Sequence, residues 1–104
     1  MKVSNLQNAN GGVVVNQFVI EDGRKTIFQS YESMICTIDR DQRTITFFAD
    51  WNYSRTTMRH LNTFLRYRGF FEFSDFSAAR KGRLINEAGS NARLINGYTI
   101  VKGW

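Results

Sequence analysis

The sequence predicts an α+β fold, in which a small antiparallel sheet of about four to five strands is packed on one face by two helices. From Val13 to Ala49, apolar and polar residues alternate with the period of two that is typical of β-strands. At Asp50 the apolar spacing changes to the helical period of 3.6. A chain of 104 residues with 42% hydrophobic content and no proline is long enough for one core and has no rigid linker. We therefore expect a flexible lead-in over residues 1–12 and a single α+β domain over residues 13–104.

The predicted strands follow one another through short turns. The first, VVVNQFVI, places Val14, Phe18 and Ile20 on one alternating face. Asp22 and Gly23 form a hairpin signal between this strand and the next, KTIFQSY. The strands MICTID and RTITFFA then lie on either side of the turn RDQ. Four strands joined by tight turns favour an antiparallel sheet with one face exposed to water.

A helix of about four turns is predicted after the strands. Asp50, Asn52 and Ser54 are all suitable N-caps, and Gly69 is a suitable C-cap. The apolar residues between them have the spacing i, i+3, i+6, i+7, which places them on one side of a helix. We expect this stripe to cover the dry face of the sheet; it consists of Met58, Leu61, Phe64 and Leu65.

The rest of the chain is predicted to add one more helix and one more strand. The segment FFEFSDF is interpreted as a buried connection. Residues 74–89 predict a second helix, capped by Ser74 or Asp75 and stopped by Gly89, although Gly82 in its middle costs about 1 kcal/mol relative to alanine. The segment GYTIV then predicts a last strand. The inward side chains of the second helix are expected to be Ala78, Leu84, Ile85 and Ala88.

Several classes of function find no support in the composition. No stretch approaches the ~18–20 consecutive apolar residues of a membrane span, and the N-terminus lacks the apolar run of a signal peptide, so we expect a cytoplasmic protein without a membrane partner. The single cysteine, Cys36, excludes an internal disulfide, and we expect it to be a small buried side chain. The single histidine, His60, is expected on the helix surface. Since phosphate-loop, dinucleotide and nucleophile-elbow motifs are all missing, we expect no cofactor, metal or catalytic residue.

A metal-dependent nuclease is a third and disfavoured alternative. Its metal ligands would be Asp39, Asp41 and Asp50. Turn and helix-cap positions already explain these residues, because aspartate bonds to its own backbone at such positions.

Positive charge is concentrated in the second half of the chain. The net charge is +5, yet residues 1–52 hold five Lys and Arg against six acidic residues, whereas residues 53–104 hold nine against three. A one-sided basic half is typical of proteins that meet nucleic acid or another acidic surface. The alternative is that the charge serves solubility.

One ridge of the first predicted helix carries much of this charge. Arg55, Arg59, Asn62 and Arg66 follow the spacing i, i+4, i+7 and i+11 and so stack beside the apolar stripe. Arginine binds phosphate or guanine through two parallel hydrogen bonds, and asparagine can pair with adenine. No acidic residue within the helix is placed to neutralise the arginines. The alternative is that they lay their aliphatic stems over the edge of the core and keep only their heads in water.

Two further groups extend the candidate contact set. Trp51 and Tyr53 precede the helix and can stack on unpaired bases, although packing against the sheet is the favoured alternative for each of them. The run ARKGR contributes Arg80, Lys81 and Arg83, which form a continuous basic surface with the ridge only if the two helices are neighbours. Otherwise they are a solvated helix face.

The segment FADWNYSRTTMRHLNTFL, preceded by TIFQSYESMICTID, resembles small proteins without an assigned activity that are encoded by bacteriophages and other mobile elements of bacteria. The shared pattern is an aromatic-acidic-Trp step, a YSxTT helix start and an HLxxFL stripe, and it covers roughly the middle half of the chain. The resemblance implies a phage-type origin and a bacterial cytoplasmic setting. Small phage-type domains without catalytic residues often act by occluding a host machine, including CRISPR effectors. The residues that carry the pattern are Asp50, Trp51, Tyr53, Ser54, Thr56, Thr57, His60, Leu61, Phe64 and Leu65.

We therefore expect a non-enzymatic, phage-type binding protein that contacts nucleic acid or a nucleic-acid-containing complex through a basic helix. The alternative is a protein-directed inhibitor of a host defence enzyme such as a CRISPR effector, in which arginine and aromatic side chains contact a host protein. A DNA mimic is disfavoured, because the second half of the chain is positively charged.

Overall fold

The computed structural model describes residues 1–87 and 96–104 and has the α+β architecture that the sequence predicts. Six strands form one mixed sheet in the spatial order β1-β2-β3-β4-β5-β6, and the described residues between β5 and β6 form three α-helices. The strands are β1 (Lys2–Gln7), β2 (Val13–Asp22), β3 (Lys25–Ser30), β4 (Ser33–Asp39), β5 (Thr44–Phe47) and β6 (Thr99–Lys102). A 3-10 turn (Ala49–Asn52) precedes the helices α1 (Arg55–Tyr67), α2 (Phe71–Asp75) and α3 (Ala78–Asn86).

The first five strands form an antiparallel meander, because a short turn joins each strand to the next. Gly23 has a φ of +60° in the turn between β2 and β3, as a tight hairpin requires. Strand β6 instead pairs parallel to β5, with Ile100 opposite Ile45. The prediction of an entirely antiparallel sheet of four to five strands is therefore corrected to a mixed sheet of six. The parallel pair arises because the chain crosses over the helical layer before β6 begins.

The segment expected to be a flexible lead-in contains the edge strand β1. Val3 lies opposite Ile20 of β2, and the side chain of Leu6 is buried in the core at 3% exposure. An edge strand with one buried side chain shows little apolar alternation, which explains why the sequence pattern did not reveal it. In the turn that follows, Oδ1 of Asn8 accepts hydrogen bonds from the backbone N–H groups of Asn10 and Gly12.

Helix α1 begins and ends where local signals predict. The hydroxyl of Ser54 accepts a hydrogen bond from the backbone N–H of Thr57 at 3.0 Å, which caps the N-terminus. At the other end Gly69 has a φ of +89°, and the N–H of Phe70 donates to the carbonyl of Leu65, as in a Schellman cap. The predicted apolar stripe faces the core: Leu61, Phe64 and Leu65 are buried and Met58 is half-buried.

The region after α1 differs from the prediction in its boundaries. The segment FFEFSDF forms the short helix α2, and Ser74 lies inside it. Helix α3 is capped by Ser77 rather than by Ser74 or Asp75, because the hydroxyl of Ser77 accepts from the N–H of Arg80. The predicted Ala88 and Gly89 lie outside the described residues. Of the other predicted inward side chains, Ile85 is buried, Leu84 is half-buried and Ala78 is exposed.

The core between the helices and the sheet is rich in aromatic rings. Phe28 of β3 stacks on Phe64 of α1, and Phe47 of β5 packs against Phe73 of α2, each pair with ring centres 5.3 Å apart. Cys36 is fully buried among them, as predicted, and burial raises the pKa of its thiol. These contacts fix the helices on one face of the sheet.

Candidate nucleic-acid interface

Arg55 and Arg59 stand on the outer side of α1 because the apolar stripe of that helix faces the core. Both side chains are exposed, and neither takes part in an ion pair within residues 1–87 and 96–104. They are four residues apart, which is about one turn of the helix. These two predicted contacts are therefore available to a ligand.

Arg66, the third arginine of the predicted ridge, already has an acidic partner. Its guanidinium group forms an ion pair with the carboxylate of Asp75, the last residue of α2. Helix α1 contains no acidic residue, whereas this partner comes from the next helix. An exposed ion pair of this kind contributes only about 0–1 kcal/mol to stability, but it leaves Arg66 less free to bind phosphate.

Asn62 does not extend the exposed ridge either. It is half-buried, and its Oδ1 is buried without a hydrogen-bond partner among the described residues. Asn62 lies between Met58 and Arg66 on the helical wheel, and Arg66 contacts Asp75 of α2. A role in reading a base edge finds no support in this placement.

The run ARKGR is divided between surface and interior. The guanidinium carbon of Arg80 lies 3.7 Å from the ring centre of Phe76, and Arg83 is exposed. Lys81, by contrast, is only 3% exposed, and its Nζ donates to the carbonyls of Ser74 and Phe76 at 2.9 and 2.6 Å. Burial lowers the pKa of Lys81, against an opposite effect of Asp75. The prediction that Lys81 is a surface contact is therefore wrong, because this side chain anchors α3 to α2.

Two contacts place α3 in the same helical layer as α1. Asp75, shortly before α3, is paired with Arg66 near the end of α1. Gly82, in the middle of α3, lies against the ring of Trp51, shortly before α1 begins. Helices α1 and α3 are therefore neighbours in one helical layer.

The two aromatic residues before α1 have different environments. Trp51 is 4% exposed and belongs to the core, so the prediction that it can stack on bases is wrong and its packing role is confirmed. Tyr53 is 80% exposed and remains accessible. The difference arises because the 3-10 turn directs one ring against α3 and leaves the other outside.

A cleft of about 820 Å³, lined mostly by polar residues and not predicted from the sequence, lies beside the start of α1; we call it the polar cleft. It is bounded by β2, by the turn between β3 and β4, and by the first turns of α1. His60 lines it, so this residue is half-buried rather than fully on the surface. Burial, and to a lesser extent the positive charge of Arg59, lowers the pKa of His60. The polar pair Asn16-Gln17 inside an otherwise apolar strand was the signal that could have revealed the cleft.

The three aspartates of the nuclease alternative do not form a metal site. Within the described residues, no group of three or more His, Cys, Asp or Glu side chains is arranged to hold a metal ion. Oδ1 of Asp39 instead accepts hydrogen bonds from the N–H groups of Gln42 and Asp41, at 3.0 and 3.1 Å. The bond from Gln42 is the main reason that the pKa of Asp39 lies below its usual value.

The fold and this surface define a small α+β protein with a basic helical layer and an adjoining polar cleft. Residues 1–79, from β1 to the start of α3, match a family of unknown function (DUF8033), and the chain belongs to this family. No curated protein and no solved structure matches the chain. None of the described helices is long and apolar enough to cross a membrane.

Proposed function

We propose that this protein is a non-enzymatic binding protein that contacts nucleic acid, free or within a nucleoprotein complex, through a basic helical surface. We define this surface by Arg55 and Arg59 of α1 and Arg80 and Arg83 of α3. The observation that carries the proposal is that Arg55 and Arg59 are exposed, one turn apart, without an acidic partner among the described residues. Arginine is suited to phosphate because its planar fork donates two parallel hydrogen bonds.

The distribution of charge supports the same proposal. Residues 53–104 hold nine Lys and Arg against three acidic residues, and all of the described helices lie in this half. Phosphate contacts of this kind give affinity that depends little on base sequence. The resemblance of the DWNYSRTT region to phage proteins leads us to propose, in addition, a phage-type origin and action in the bacterial cytoplasm.

A second candidate function is inhibition of a host defence enzyme, such as a CRISPR effector, by direct protein contact. Exposed aromatic side chains of the helical layer favour it: Tyr53, Tyr67 and Phe71 are 80%, 60% and 61% exposed. Aromatic and arginine residues are frequent hot spots of protein interfaces. Such an interface is expected to depend on salt less than a phosphate contact does.

The proposal is tested by fluorescence anisotropy with labelled single- and double-stranded DNA and RNA at several salt concentrations. The logarithm of the binding constant should fall linearly with the logarithm of the salt concentration, with a slope of about −0.7 per phosphate on single strands or −0.9 on duplex DNA. The double variant Arg55→Glu, Arg59→Glu should lose binding and keep the wild-type unfolding free energy, because both side chains are exposed.

A matched control separates the surface from the net charge of the chain. The double variant Lys2→Glu, Lys25→Glu makes the same charge change on exposed positions of β1 and β3, and it should retain most of the affinity. Equal losses in the two double variants would contradict the proposed surface. Failure to bind any nucleic acid at low salt would refute direct binding, and a host protein retained in a pull-down would then favour the second candidate.

A further inference from the structure

The polar cleft adjoins the basic helical surface at the start of α1 and contains a buried amide oxygen without a hydrogen-bond partner among the described residues. Gln17 lines the cleft at 3% exposure, and its Oε1 is buried with no hydrogen-bond partner among the described residues. A buried acceptor without a donor destabilises the folded state, so such groups are rare in native proteins. The torsion of the terminal amide is broadly two-fold, so a half-turn can exchange the positions of its oxygen and nitrogen. In that rotamer the oxygen leaves its buried position and can accept a hydrogen bond from a donor in the cleft.

The backbone of β2 carries Gln17 to this position. Asn5 pairs with Phe18 whereas Gln7 pairs with Val13, so the residues of β2 between these partners bulge away from regular pairing. Asn16 in this bulge has a φ of 63°. Bulges often redirect a side chain next to a binding site.

The carboxylates that line the cleft are negatively charged, while Arg59 beside the lining residue His60 adds positive charge nearby. Glu32 and Asp50 line the cleft, and its described lining residues include neither lysine nor arginine, although the chain carries a net charge of +5. Hydroxyl groups add further acceptors, among them those of Ser30 and Ser33. This lining favours a cation and disfavours a phosphate or a carboxylate.

Tyrosine rings stand at the rim of the same cleft. Tyr31 and Tyr53 both line it and are 63% and 80% exposed. Tyr31 has a φ of 53°, a conformation that a bulky side chain disfavours, and its N–H donates to the carbonyl of Asn16 at 2.7 Å. Strained residues of this kind cluster at binding sites. The face of a tyrosine ring attracts a planar cation.

We propose that this cleft binds a guanidinium group, carried either by a small molecule or by an arginine side chain of a peptide. A guanidinium is planar, always charged and rich in donors, so it can stack on Tyr31 or Tyr53 while it donates to the Glu32 and Asp50 carboxylates. The orphan oxygen of Gln17 accepts a further hydrogen bond. An ammonium group lacks the plane and urea lacks the charge, so neither combines these properties.

The test uses NMR titration of the ¹⁵N-labelled full chain with defined probes. Methylguanidine represents a free guanidinium compound, a capped Gly-Arg-Gly peptide represents an arginine side chain, and the same peptide with citrulline is the uncharged isostere. We expect at least one guanidinium probe to shift the side-chain amide signal of Gln17 and the backbone signal of Tyr31. Whichever guanidinium probe binds more tightly identifies the source of the group. The citrulline peptide should bind at least tenfold more weakly than its arginine counterpart.

Two variants separate a binding role from a structural one. Gln17→Met removes the orphan amide at similar volume, so it should raise the denaturant midpoint while it weakens guanidinium binding at least tenfold. Glu32→Gln with Asp50→Asn should weaken binding equally and leave the fold unchanged. The control Asp22→Asn with Glu87→Gln makes the same charge change outside the cleft and should bind like the wild type.

Three outcomes would overturn the proposal. Equal affinity for the citrulline peptide would show that charge is not recognised. A lower denaturant midpoint for Gln17→Met would give Gln17 a structural role instead. If a neutral nucleoside shifts the Gln17 signal and neither guanidinium probe does, the ligand of the cleft would be a nucleobase.

Discussion

Gly82 of α3 faces the ring of Trp51 at a distance that leaves room for a methyl group. A Cβ added at Gly82 would lie 3.6 Å from Cζ2 and 3.8 Å from Cη2 of Trp51, which is ordinary van der Waals contact. The contact joins the middle of α3 to the turn that precedes α1.

Gly82→Ala is therefore expected to stabilise the protein by about 1 kcal/mol, because alanine has the higher helix propensity and its methyl group gains contact with Trp51. Urea unfolding followed by tryptophan fluorescence measures the change. The comparison variant is Gly69→Ala, which places a side chain at a φ of +89° and should destabilise by roughly 1–2 kcal/mol. A loss of stability in Gly82→Ala would mean that α3 packs more tightly on Trp51 than these distances indicate.

The buried Lys81 is expected to make the free energy of unfolding depend on pH in the alkaline range. Burial holds its folded-state pKa below the ordinary value of 10.5, so between these two pKa values the unfolded chain binds more protons than the folded one. The stability of the wild type relative to Lys81→Met should therefore rise as pH increases through the folded-state pKa toward 10.5, and should fall again as pH is lowered. Urea midpoints of both proteins between pH 7 and pH 10 test this. A difference that is constant over that range would show that Lys81 keeps its ordinary pKa.

The thiol of Cys36 should resist modification in the folded protein. It is fully buried, and burial raises its pKa, so the reactive thiolate is suppressed. We expect no reaction with a chromogenic disulfide reagent under native conditions and complete reaction in denaturant. An introduced surface thiol, Ser4→Cys, provides the positive control because Ser4 is exposed. Rapid labelling of the native wild type would indicate local opening of β4.

Asp75→Asn tests whether the ion pair restrains Arg66. The variant removes the partner charge while it changes stability by less than about 1 kcal/mol, because both side chains are more than half exposed. If the proposed phosphate surface is correct, single-stranded nucleic acid should bind more tightly, with a salt slope more negative by up to about 0.7. Anisotropy titrations at two or more salt concentrations give both quantities. The double variant Arg66→Gln, Asp75→Asn should bind single-stranded nucleic acid no more tightly than the wild type does.

Local signals predicted helix α1 and its caps, because Ser54, Gly69 and the apolar stripe act within a few residues of one another. Non-local contacts were not predicted in the same way. The sequence could not reveal that β6 pairs parallel to β5, since that arrangement depends on the path of the chain over the helices. The strand β1 was missed because Leu6 is its only buried side chain.

The candidate surface was predictable only in part. The helical wheel located Arg55 and Arg59 on an exposed side of α1, which needs no tertiary information. It could not show that Arg66 meets Asp75 or that Lys81 is buried beneath α2, because both depend on how successive helices turn back on each other. Val15 and Gln17 of the polar cleft lie where the pairing of β2 with β1 is irregular, and bulges leave little trace in apolar periodicity.

The parallel pairing of β6 with β5 also has a consequence for the order of folding. The five-stranded meander closes through short turns, whereas β6 must return across residues 48–98 to reach its neighbour. Closing a loop of about 50 residues costs roughly 3.5 kcal/mol of chain entropy in its length-dependent part, against about 1 kcal/mol for a turn of a few residues. The meander can therefore form while the C-terminal strand is still detached, and β6 completes the edge of the sheet at the greater cost in chain entropy.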